Sequence, residues 1–81
     1  MLQLKLDTKA DAAHITFSDK PVARTREKGD QIVVDYDEKN NVVGVEVLGI
    51  SAGGDLDELR DLPEHDELVK LLMDRGIKVY A

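Results

Sequence analysis

The chain contains no cysteine, which removes disulfides and thiolate zinc sites as staples for a small fold. Histidine is scarce, at His14 and His65 only, so a metal site would need carboxylates converging on one of them. No apolar run approaches the roughly 20 residues that span a bilayer. The opening Met1-Leu2-Gln3-Leu4-Lys5 alternates from the start and lacks the apolar block of a signal peptide. A phosphate-cradling glycine loop is also missing, because Gly53-Gly54 has no preceding strand, spacing or lysine of the required kind. Positive charge is in deficit, with 11 Lys/Arg against 17 Asp/Glu and a net charge of −6, which argues against gripping a nucleic-acid backbone. The resulting expectation is a cytoplasmic protein with no metal, cofactor, nucleic-acid or membrane partner.

What is present fits one domain of 81 residues. A domain this size hides only about 60% of the surface of its unfolded chain. Small domains without staples gain stability by self-association, so a homo-oligomer is expected. The acids are unevenly placed. Residues 55–67 hold seven acids and one base, Arg60. Such a run reads either as a solvated helix face with acids at the positive end of the helix dipole, or as a docking surface for a basic partner.

Residues 1–50 are written in period two. Leu2, Leu4 and Leu6 alternate with Gln3, Lys5 and Asp7, the pattern of a half-buried strand. Thr8-Lys9-Ala10-Asp11 is a turn. Ile15 and Phe17 alternate with His14, Thr16 and Ser18 in a second strand, which Asp19-Lys20-Pro21 ends. Val22–Glu27 reads as a polar third strand suited to a sheet edge, with Arg24 and Arg26 on one face. After Lys28-Gly29-Asp30, Gln31–Tyr36 forms a β-branched fourth strand. Asp37-Glu38-Lys39-Asn40-Asn41 has hairpin-loop chemistry. In Val42–Leu48, Val43, Val45 and Val47 face one way, and Gly44 marks a bulge or a close approach.

Residues 51–81 change period. Asp55–Arg60 suits a short helical turn. Asp61-Leu62-Pro63-Glu64 has capping-box spacing, and Leu68, Val69, Leu71, Leu72 and Met73 form a helical stripe that predicts a helix over 64–75. Asp66 and Lys70 have the spacing of an i,i+4 pair on its outer face. Gly76 ends the helix, and Ile77-Lys78-Val79-Tyr80 predicts a short last strand at a sheet edge. The expected class is α+β: a mostly antiparallel five-stranded meander, paired in sequence order, with a C-terminal helix packed on it through Leu68, Leu71 and Leu72. Residues 1–50 form the β-sheet module, and 51–81 an acidic helical tail of the same domain.

Four segments carry a resemblance: Asp7-x-x-Ala10-Asp11-Ala12 before Ile15-Thr16-Phe17, Pro21-Val22-Ala23-Arg24-Thr25, Val33-Val34-Asp35-Tyr36-Asp37, and Gly44-Val45-Glu46-Val47-Leu48. In this order and spacing the chain resembles the YuzE-like family of small prokaryotic proteins (domain of unknown function 2283) over residues 1–50. The family carries a Leu-Tyr pair where this chain has Ala13-His14, and an Asp-Ala-Ser run where it has Gly49-Ile50-Ser51. The resemblance implies a compact β-sheet module. Some relatives are encoded beside ribonuclease-like toxins, which implies an antitoxin-like role.

The leading functional expectation is a non-enzymatic interaction module that binds a basic protein through Asp55, Asp57, Glu58 and Asp61. Its main rival is a small enzyme or ligand-binding domain using Asp7, Asp11, His14, Arg24 and Arg26. Against that rival, Asp7 and Asp11 suit turn capping, and Arg24 and Arg26 suit salt bridges to Asp35 or Glu46. The third reading is a purely structural homo-oligomer.

Overall fold

The computed structural model describes residues 2–80, and the side chains of all of these except residues 54–57 and 80. The period-two segments form β1 (Gln3–Asp7), β2 (Ala12–Thr16), β3 (Arg24–Lys28), β4 (Ile32–Tyr36) and β5 (Val42–Leu48). They make one antiparallel sheet in the order β1-β2-β5-β4-β3. Pairing follows sequence order for β1–β2, β3–β4 and β4–β5. It departs from that order between β2 and β3, because β5 lies beside β2 and sets Ile15 opposite Val45 and Ala13 opposite Val47.

This order is a Greek key, in which β3, β4 and β5 are consecutive and β2 reaches them through a longer connection. Burial explains it. β5 supplies the fully buried Val45 and Val47, whereas β3 reads Arg-Thr-Arg-Glu-Lys and is tolerated only where one side faces water. The connection is stitched down by its backbone. The N–H groups of Phe17 and Ser18 donate to Val43 O at 2.9 and 3.2 Å, and Ala23 N–H donates to Tyr36 O at 2.7 Å. β3 consequently starts at Arg24, and Val22 sits in the connection at 53% exposure.

The sheet has one apolar face. Ala13, Ile15, Ile32, Val34, Val45 and Val47 are buried there together with Leu59, Leu62, Leu68, Leu72 and Ile77 from the second half of the chain. A bulge between β4 and β5 shifts the register after Asp35, so that Tyr36 pairs with Val42. Val42 therefore packs against the core, and Val43 is buried outside the core cluster. The three-valine face anticipated for β5 ends at Val45 for this reason.

Beyond β5 the chain makes a 3₁₀ turn (Ile50–Ala52), β6 (Gly54–Asp55), α1 (Leu56–Leu59), α2 (His65–Asp74) and β7 (Val79–Tyr80). Three local expectations are corrected here. The capping box does not form: Glu64 is the N-cap residue, at φ 53° and with no side-chain cap bond, so Pro63 precedes the helix instead of entering it. Asp61 turns instead to Lys28, whose Nζ donates to its Oδ2 at 3.2 Å. The last strand pairs in parallel with β6 as a separate two-stranded sheet, not with the edge of the main one. Met73 points outward at 59% exposure, while Leu68 and Leu72, one turn apart, are fully buried.

The helix end does follow the sequence. Gly76 has φ 80°, Gly76 N–H donates to Met73 O at 2.9 Å, and Ile77 N–H donates to Leu72 O at 3.0 Å. These two bonds are a Schellman motif, and its apolar clasp is Leu72 with Ile77, both in the core.

Candidate functional site

An antiparallel sheet can leave one face to water, and α2 covers only one face of this one. The register sets the side chains of the other face in rows. One row runs Lys5, His14, Glu46, Val33 and Glu27, strand by strand. The next runs Gln3, Thr16, Gly44, Asp35 and Thr25, and Asp7, Ala12 and Leu48 close the β1 end.

Gly44 puts bare backbone in the middle of this face. A Cβ there would stand 3.4 Å from Asp35 Oδ2 and 3.7 Å from His14 Nε2. Both groups therefore lean over the glycine, the histidine from the diagonal position of the adjoining row. Asp35 is fixed from its other side, where Thr25 Oγ1 donates to Oδ1 at 2.6 Å. Beside it, Lys5, Asp7, Thr8, Lys9, His14 and Glu46 border an open groove of about 490 Å³. Among the described residues no group of three or more histidines and carboxylates could hold a metal ion. The face offers carboxylate acceptors, an imidazole and hydroxyls, which suits charge-complementary binding.

The residues singled out from the sequence are dispersed. Asp7 caps its turn, with Oδ1 accepting from Ala10 N–H at 3.1 Å. Asp11 instead reaches across the chain: Oδ1 accepts from Ser51 N–H at 3.1 Å and Oδ2 from Ser51 Oγ at 2.7 Å. Asp7 and His14 share the open groove. Arg24 and Arg26 are opposite Tyr36 and Val34, which places them on the other face of the sheet at the far edge. The set Asp7, Asp11, His14, Arg24 and Arg26 is thus not brought together. For the same reason the arginines do not pair with Asp35 or Glu46, whose side chains occupy the opposite face.

In the tail, Asp55 and Asp57 lie outside the described side chains. Glu58 folds back so that its carboxylate lies against Gly29, with Oε2 buried and unbonded. Asp61 pairs with Lys28 and keeps 79% of its side chain exposed. Glu67 Oε2 accepts from Leu2 N–H at 3.1 Å. Asp66 meets His65 at 3.1 Å, in place of the anticipated partner Lys70.

Sequence reasoning missed two further polar anchors. Gln31 Nε2 donates to Leu48 O at 3.0 Å and Gly53 O at 2.7 Å, tying the tail to β5. Asp37 is 4% exposed. Its Oδ1 accepts from the N–H groups of Lys39 and Asn41, both at 2.9 Å. The bond from Asn41, helped by that from Lys39 and by the charge of Lys20, holds its carboxyl below the ordinary value against the opposing pull of burial. Only the hairpin-loop chemistry at 37–41 signalled this position.

A family model described as "Protein of unknown function (DUF2283)" matches residues 3–51, from the first residue of β1 to the serine held by Asp11. No curated protein and no solved structure matches the chain.

Proposed function

We propose, for a chain that belongs to this family of proteins of unknown function, that it is a non-enzymatic interaction module that docks a basic protein on its open sheet face. The observation that carries this reading is the charge of that face. Asp7, Glu27, Asp35 and Glu46 project from its rows against one lysine in those rows, Lys5, with Lys9 on the border of the groove. The net charge of −6 adds long-range attraction to the same kind of partner. An antitoxin-like role is the same reading with a basic toxin as the partner.

The test neutralises Asp7→Asn, Glu27→Gln and Glu46→Gln together. The carboxamide introduced at position 7 retains an acceptor for the turn, and Asp35 is left to hold Thr25. A partner co-purified from native cells is then mixed with each form at low and high salt. The variant should associate more slowly at low salt, and the difference should shrink at high salt, because exposed charges are screened beyond about 8 Å at physiological ionic strength. Equal rates under both conditions would sink the proposal.

A second reading keeps the basic partner and moves it to Asp55, Asp57, Glu58 and Asp61. The exposure of Asp61 beside Lys28 favours it. Asp61→Asn in the same assay separates the two surfaces.

A further inference from the structure

β3 separates charge by face. Thr25 and Glu27 belong to the open face, while Arg24, Arg26 and Lys28 lie on the helix side, opposite Tyr36, Val34 and Ile32. Lys28 is satisfied by Asp61. The two arginines have no such carboxylate among the described residues, although acids outnumber bases in the chain by 17 to 11. The register explains this, since the nearest strand acids, Asp35 and Glu46, point away through the sheet.

Arg26 lies between Arg24 and Lys28 on this face and has two neutral polar residues beside it. Arg26, Tyr36 and Asn40 line an open surface depression of about 230 Å³. Asn40 reaches it from the β4–β5 loop at φ 67°, and Arg24 stands directly across from Tyr36 on the same face. Residues two apart on a strand are separated by roughly 7 Å, so both guanidinium forks can close on one group placed over Tyr36. The phenol and the carboxamide contribute further donors.

We infer that Arg24, Arg26, Tyr36 and Asn40 form a binding site for a phosphate monoester. Two guanidinium charges match the dianion, and its three non-ester oxygens accept more bonds than a carboxylate offers. Arginine rather than lysine suits the site because its planar fork can donate two parallel bonds. The site lies on the opposite face from the acidic docking surface and does not depend on it.

The experiment follows backbone and side-chain amide resonances of the whole chain at constant ionic strength. Inorganic phosphate, O-phosphoserine and acetate are the probes, and a phosphoserine peptide tests whether a protein-borne ester is also accepted. Saturable shifts centred on Arg24, Arg26, Tyr36 and Asn40 are expected with the phosphates, and acetate should bind at least about tenfold more weakly. Arg24→Gln/Arg26→Gln should abolish them while leaving the remaining spectrum in place. Arg24→Lys/Arg26→Lys keeps the charge without the forks and should also lose about tenfold in affinity. The inference is overturned by shifts that do not saturate, by shifts centred on the lysines, by equal acetate binding, or by full affinity in either double variant.

Discussion

Asp37 draws its low pKa from backbone N–H groups that only the folded loop supplies, Asn41 first. A carboxyl depressed in the folded state stabilises the fold above its unfolded pKa and loses that contribution as pH falls through the folded value. Wild type should therefore be more resistant to urea than Asp37→Asn at pH 7, and the difference should narrow below about pH 4. Midpoints measured at pH 7 and pH 3 decide this, and a constant difference would mean that the charge is irrelevant. Gly29 and Gly76 offer a matched pair at φ 79° and 80°. Alanine at 76 meets nothing within 4 Å, whereas at 29 it collides with the Glu58 carboxylate. That carboxylate is the end of a flexible side chain with an unbonded buried oxygen, so swinging into water costs it little. Both substitutions should destabilise by about 1–3 kcal/mol for the left-handed backbone alone. A much larger loss for Gly29→Ala in chemical denaturation would show that Glu58 is locked.

At the scale of elements, α2 rests on Leu68 and Leu72, and Leu72→Ala should cost about 2–5 kcal/mol by cavity formation. An unchanged denaturation midpoint would contradict that packing. The element types were legible in the sequence because strand alternation and the helical stripe act between near neighbours. Gly76 was legible for the same reason, since its motif closes within one helical turn. The place of β3 was not, because the choice between β3 and β5 as the partner of β2 depends on which of two distant strands buries more apolar surface. The capping box misled for a related reason. Its residues had the right spacing, but Lys28, 33 residues away from Asp61, offered a competing partner. The candidate site fared likewise: the polar face of each strand was readable singly, and its rows exist only once the register is known.

For the whole molecule, the two free sheet edges differ in what they allow a second copy to do. The β3 edge presents Arg24, Arg26 and Lys28 and opposes pairing with itself. The β1 edge carries Lys5 between the half-buried Leu4 and Leu6 on the apolar side. If copies associate through their sheets, β1 is the contact, and Leu4→Lys should abolish it. Sedimentation equilibrium at micromolar concentrations reads the result, and a dimer that survives Leu4→Lys would exclude the β1 edge. Among the described residues no helix is long and apolar enough to cross a membrane.

The Greek-key order also has a consequence in time. The β1–β2 hairpin and the β3–β4–β5 run each close through near neighbours, and each can form within about 10 microseconds of being available. Joining them requires β2 to meet β5 across the whole of β3 and β4, so loop closure is slowest at that seam. During synthesis, β2 emerges with an unsatisfied edge and has to wait until Leu48 has cleared before its partner is complete. Until then the bare edge is where the chain is most open to aggregation, and a chaperone or a second nascent copy would meet it there first.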